Sequence, residues 1–277
     1  MTPSIRHYIN RKSCKLEIMA SQTLIKVVLG SGIGILTCHA LYKSKTDPVH
    51  IFWDLDHTIL CSIYPIAELD NDTEQTNNKQ SISKCPVSPS NLIPSPPKLQ
   101  YFDQIDDDFD IPDDGSPNTR TYIRPGAQMA LKVCNMLGVI HVYTAAQQTY
   151  TNNILNILDP TRTLFKEVIH RCDYPKIVSE GKDLSVVNGG VHHRSILFDD
   201  KESNFLPQKY ENGVLVKPFN SECVANCDAG SWRAYIKEVK EMSRLVCIAL
   251  YSSLHISGDV RTVLGWVSDR KGTTTKP

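Results

Sequence analysis

Four aspartates close two apolar runs. Asp54 and Asp56 follow His50-Ile51-Phe52-Trp53, and Asp199 and Asp200 follow Ser195-Ile196-Leu197-Phe198. Carboxylates at i and i+2, where a strand leaves its sheet, can curl over the edge so that both side chains reach one ligand. A pocket holding all four concentrates like charge, which is costly unless a cation shares it. Oxygen-only donors select a hard ion such as Mg²⁺, held by a couple of carboxylates with water and substrate phosphate. Beside that ion a carboxylate can attack phosphorus, because the metal neutralises the repulsion between two anions. A nearby carboxylic acid can then protonate the leaving oxygen. Thr144, at the end of a third apolar run, and Lys182 would hold the phosphoryl oxygens, the lysine balancing their charge.

These residues need strands that end at one rim. The runs at 50–53, 139–144, 195–200 and 213–216 are short, β-branched or aromatic, and read as buried parallel strands. Helical composition lies between them at 127–137, 149–158 and 231–250. In the first of these helices Met129, Val133, Met136 and Leu137 fall near one face. In the last, Trp232, Tyr235, Ile236, Val239, Met242 and Val246 form a stripe that reads as core. Pro160 stops the middle one. This alternation predicts an α/β fold, a doubly wound and mainly parallel sheet whose active site lies beyond the carboxyl ends of the strands. His141, inside the second run, reads as a core residue or as part of the cleft wall.

The rest of the chain is patterned differently. Residues 66–118 are rich in Asn, Ser, Gln, Pro and then Asp, and are expected to form a largely disordered insertion. Residues 1–22 are basic with a single acid, which suits a mitochondrial presequence or a disordered leader. Residues 23–42 include a charge-free stretch that approaches the length of a membrane-spanning helix and are expected to anchor the chain. Residues 251–277 read as a tail, polar and frayed after about Trp266. With 30 basic and 30 acidic residues and a net charge of zero, direct nucleic-acid binding is not expected. The 9 cysteines form no Cys-x-x-Cys pair and suit free thiols in a reducing compartment.

Asp54-Leu55-Asp56-His57-Thr58 resembles the first motif (Asp-x-Asp-x-Thr) of the haloacid-dehalogenase superfamily. More narrowly, the chain resembles the NLI-interacting-factor-like phosphatases that act on the carboxy-terminal domain of RNA polymerase II. Arg124-Pro125-Gly126, Val142-Tyr143-Thr144-Ala145, Tyr150, Leu158-Asp159-Pro160, Lys182-Asp183-Leu184-Ser185 and Leu197-Phe198-Asp199-Asp200 follow in family order, over residues 48–250. The resemblance implies a magnesium-dependent protein serine/threonine phosphatase acting on a phosphoprotein. Asp54 would be nucleophile and metal ligand. Asp56 would be general acid and then base, touching the metal through its backbone carbonyl. Asp199 would complete the metal site, with Asp200 beside it. Lys182 would stabilise the phosphoaspartate, Thr144, Arg124 and Thr58 would contact substrate, and Thr58 would also support the loop. One branch of the family is a receptor subunit of the mitochondrial inner-membrane translocase, with a presequence and one membrane span. The N-terminal composition makes that branch, its translocase partners and its membrane the alternative expectation. A phosphatase anchored at the nuclear envelope or endoplasmic reticulum, or free in cytoplasm or nucleus, would also fit.

Overall fold

The computed structural model describes residues 48–63, 95–104, 119–174, 176–187, 192–208, 211–254 and 259–269. The chain runs β1 (Val49–Trp53), β2 (Leu60–Ile63), β3 (Tyr101–Gln104), β4 (Thr119–Ile123), α1 (Ala127–Leu137), β5 (Gly138–Tyr143), α2 (Gln148–Leu158), β6 (Val168–Ile169), α3 (Ile177–Glu180), β7 (Ser195–Asp199), β8 (Gly213–Leu215), α4 (Ser221–Asp228), α5 (Trp232–Leu254) and α6 (Val260–Asp269).

Helices cover both faces of β1, so it carries apolar residues continuously instead of alternating; Val49, Ile51, Phe52 and Trp53 are all buried. It is the centre of a five-stranded parallel sheet in the order β6-β5-β1-β7-β8. The chain lays β5 and β6 on one side of β1, then returns to lay β7 and β8 on the other. The strand order therefore reverses at β1, and the crevice at such a switch point is where open α/β sheets bind ligands. Trp53 is in register with Val142 on β5 and with Phe198 on β7. Asp54, Tyr143-Thr144 and Asp199 consequently reach the same rim. Gly138 sets this register: a Cβ there would lie 2.3 Å from the carbonyl oxygen of Val49, so only glycine lets β5 begin so close to β1.

The expected α/β sheet is present, but two helix faces differ from expectation. On α1 the buried residues are Ala127, Ala130, Leu131, Cys134 and Leu137, while Met136 is 62% exposed. On α5 the buried stripe is Glu238, Glu241, Met242, Leu245, Ile248, Ala249, Ser252 and Ser253, and Ile236 faces outward. Hydrophobic periodicity misplaced that stripe because two of its residues are glutamates. Glu238 is neutralised by Arg124, and Glu241 by Arg244 and the backbone N–H of Lys217. Paired in this way, acids can line a core.

A second, antiparallel sheet in the order β2-β4-β3 sits between β1 and α1 in the chain. Its strand β3 and the buried Leu99 fall within 66–118, so that stretch is not wholly unstructured. Residues 66–94 and 105–118 lie outside the described residues. The domain also continues past 250: α5 runs to Leu254, and α6 buries Val260, Val263 and Leu264. The leader and anchor expected at 1–22 and 23–42 lie outside the described residues. Among the described residues no helix is long and apolar enough to cross a membrane.

Candidate active site

The loop after β1 is held by its own backbone. The Asp54 N–H donates to the Phe198 carbonyl at 3.0 Å, carrying the sheet ladder one residue beyond the strand. The chain then turns sharply, and the N–H groups of Thr58, Ile59 and Leu60 all converge on the Leu55 carbonyl. His57 takes a left-handed conformation (φ 57°) at the tip. The Phe219 N–H, before α4, donates to the His57 carbonyl at 2.6 Å. Arg124 fastens the other limb: its N–H donates to Ile59 and its Nη1 to the Thr58 carbonyl, at 2.9 and 3.0 Å.

Above this loop the Lys182 ammonium donates to Asp54 Oδ1 and, at 2.6 Å, to Asp199 Oδ2. Lys182 comes from the segment after α3. The preceding Gly181 has φ +86°, and a Cβ there would lie 2.8 Å from the Ser203 carbonyl, so glycine is what lets this segment dock. The Lys182 N–H donates to Asn204 O, and its carbonyl accepts from Gln208 Nε2. Asn204 Nδ2 also donates to both oxygens of Asp199, at 2.9 and 2.8 Å, and the Lys201 N–H donates to Oδ1 at 2.8 Å. Asp199 is thus fixed by four contacts in a place that water does not reach.

Burial pushes the Asp54 carboxyl well above its ordinary range; Lys182 opposes this, and Asp199 and Asp56 add to it. Burial alone would lower Lys182, but Asp54 and Asp199 outweigh burial and raise it. The direct contact of ammonium with carboxylate keeps Lys182 cationic. Asp200, half-buried, is raised by burial and then by Asp199.

Ligand oxygens of Asp54, Asp199 and Asp200 lie within 4.8 Å of one another. Three carboxylates facing one ammonium leave an excess of negative charge that a divalent cation would relieve, and an all-oxygen donor set suits a hard ion. The residues therefore fit a metal ion. The carboxylate of Asp56 does not join this cluster. It accepts from the Tyr150 hydroxyl at 2.5 Å. Burial raises its pKa, and the Tyr150 hydrogen bond acts in the opposite direction.

Thr144 stands at the end of β5, its Oγ1 accepting from the Ala146 N–H at 3.2 Å. Thr58 is fully buried beneath the loop, and its hydroxyl has no partner among the described residues. Arg124, expected to contact substrate, is 2% exposed. Its Nε and Nη2 donate to Glu238 Oε2 at 3.0 and 2.7 Å, so every part of the guanidinium engaged here holds the loop to α5. Sequence reasoning gave no role to Asn204, Gln208, Glu238 or the Tyr150 phenol. Each acts through a partner distant in sequence or, for Asn204, through a turn that only the fold defines.

The sheet, its switch point and the strand-end carboxylates define a fold of the haloacid-dehalogenase class. Residues 49–244 match the family model described as NLI interacting factor-like phosphatase, and the chain belongs to that family. Two solved structures are similar at the level of fold. One is titled "The Structure of Fcp1, an essential RNA polymerase II CTD phosphatase" (18% identity over 87% of this chain and 59% of that one, TM-score 0.46). The other is a fission yeast Fcp1 variant bound to beryllium fluoride (16% identity over 85% of this chain and 60% of that one, TM-score 0.46). The chain thus spans about three-fifths of the length of those two proteins. Among curated proteins, none matches the chain.

Proposed function

We propose that the chain is a magnesium-dependent protein serine/threonine phosphatase that works through an aspartyl phosphate on Asp54. The observation that carries this is the convergence of Asp54, Asp199, Asp200 and Lys182 at the switch point of the sheet. Asp54, Asp199 and Asp200, with the backbone carbonyl of Asp56 as the family resemblance implies, would hold Mg²⁺. When bound, the ion neutralises the charge between nucleophile and phosphate and polarises a phosphoryl oxygen.

In the first step an Asp54 oxygen bonds to phosphorus as the bond to the serine or threonine oxygen breaks. Asp56, whose raised pKa suits a proton donor, protonates that leaving oxygen. In the second step Asp56, now a carboxylate, takes a proton from water, whose oxygen attacks phosphorus and frees Asp54 and inorganic phosphate. Lys182 keeps the Asp54 carboxylate oriented in the first step and stabilises the phosphorylated aspartate afterwards. Thr144 Oγ1 accepts from Ala146, which leaves its O–H for a phosphoryl oxygen. Arg124 and Thr58 support the loop from below.

The test is phosphate release from p-nitrophenyl phosphate by the full chain with Mg²⁺. Asp54→Asn should abolish it; a wild-type chain without activity would overturn the reading. The compartment is a separate proposal. The basic leader and charge-free stretch within 1–42 favour the mitochondrial inner membrane, and with it translocase partners. A C-terminal fluorescent fusion spread evenly through the cytosol would reject it.

A further inference from the structure

A proton donor must present one particular oxygen to the leaving group. Asp56 lies on a loop, half-buried and outside the carboxylate cluster, so something else must orient it. The Tyr150 hydroxyl, on α2 and 94 positions away, meets Asp56 Oδ1 at 2.5 Å. The same phenol oxygen lies 2.6 Å from Ser62 Oγ on β2, and Ser62 Oγ lies 2.8 Å from Thr121 Oγ1 on β4. Ser62 and Thr121 are directly opposite in the β2–β4 register.

Proton count fixes the direction of this chain. The Tyr150 O–H donates to Asp56 Oδ1, so the single phenol proton goes to Asp56. Tyr150 must then accept from Ser62. Ser62, having used its proton, must accept from Thr121. Every hydroxyl points toward Asp56.

Resting on the reading of Asp56 as general acid, we propose that Tyr150 is a positioning residue for it and that Ser62 and Thr121 extend this control to the three-stranded sheet. Because Tyr150 fills Oδ1, the proton that Asp56 transfers sits on Oδ2, the oxygen left to face the leaving group.

The experiment compares leaving groups. p-Nitrophenolate departs without protonation, whereas phenolate needs a proton. In the full chain, Tyr150→Phe should lower kcat/KM, which reports the step in which the ester oxygen leaves, by about 10-fold on phenyl phosphate while the loss of kcat/KM on p-nitrophenyl phosphate stays under about 3-fold. Ser62→Ala should show the same bias at about 2- to 3-fold, and the double variant should be no worse than Tyr150→Phe alone, because Ser62 acts only through the phenol. Should Tyr150→Phe not fold, the bias in Ser62→Ala carries the test. A variant that loses both substrates in equal proportion, or neither, overturns the positioning role; additive losses overturn the extension through Ser62. A wild-type chain inert toward both esters, or indifferent to Asp54→Asn, overturns the phosphatase reading itself and the relay with it.

Discussion

Arg124 donates twice to a single oxygen of Glu238, from Nε and Nη2, and both side chains are almost wholly buried. The pair ties the segment before α1 to α5, and the third arm of the guanidinium ties both to the Thr58 carbonyl. The nucleophile's loop is thereby braced from α5. Removing one partner strands the other as a buried, uncompensated charge. Glu238→Ala should therefore cost about 3–5 kcal/mol in urea unfolding. Replacing both, as Arg124→Met with Glu238→Leu, should recover much of that stability but not the hydrogen bond to Thr58, so activity should stay low. A stable Glu238→Ala chain would show that the brace is dispensable.

Asn204 donates to both oxygens of Asp199 and has no contact of its own with the Asp54 carboxylate among the contacts described. It acts as the outer support of a metal ligand. Asn204→Ala should raise the Mg²⁺ concentration for half-maximal activity by about 10- to 100-fold, with activity largely restored at saturating Mg²⁺. An unchanged Mg²⁺ curve would remove Asn204, and weaken Asp199, as part of the metal site.

Gly181 places Lys182. Its φ of +86° and the 2.8 Å approach to the Ser203 carbonyl leave no room for a Cβ. Gly181→Ala should cost about 1–3 kcal/mol in stability from strain at a left-handed position, and it should lower kcat more than KM, because Lys182 would be shifted off Asp54. Retained kcat in a destabilised variant would separate the strain from the lysine's placement.

His141 is a core residue, not part of the cleft wall. Its ring stacks on Phe52 at a centroid distance of 4.5 Å, and its Nε2 lies 3.1 Å from Nδ1 of His50. Burial pushes its pKa down to about 3, with the neighbouring His50 and Lys166 adding to the effect. The Glu167 carboxylate, 3.5 Å from Nδ1, pulls the other way without reversing it. Above the unfolded value of about 6.5 both states are neutral and this residue has no pH effect. As pH falls from there toward about 3, the unfolded chain takes up a proton that the folded chain refuses, so stability declines. At pH 5 the decline attributable to His141 should be about 2 kcal/mol. His141→Gln should flatten the change in urea midpoint between pH 7 and pH 5; an equal slope in both proteins would contradict it.

Much of the architecture was legible because a strand buried on both faces must be continuously apolar. The runs ending at Asp54, Thr144 and Asp199 stand out for that reason, and a polar residue closing such a run marks the rim. The helix over Ala127–Leu137 was found with the same bounds, flanked by Gly126 at φ 86° and by Gly138. Its buried face was not, because close packing against α5 and the sheet selects Ala127, Ala130 and Cys134 over the larger Met136. Hydrophobicity ranks side chains by size and polarity, and close packing reverses that order. The stripe of α5 shows the same limit, since Glu238 is buried only because Arg124, 114 positions earlier, meets it.

From the sequence alone one can identify which acids stand at strand ends, since that depends on local pattern. How those acids are shared out depended on the tertiary structure. Lys182 reaches Asp54 across 128 positions, and Tyr150 meets Asp56 across 94. A buried charge takes whichever partner the fold brings within hydrogen-bond distance, and no local spacing encodes that choice.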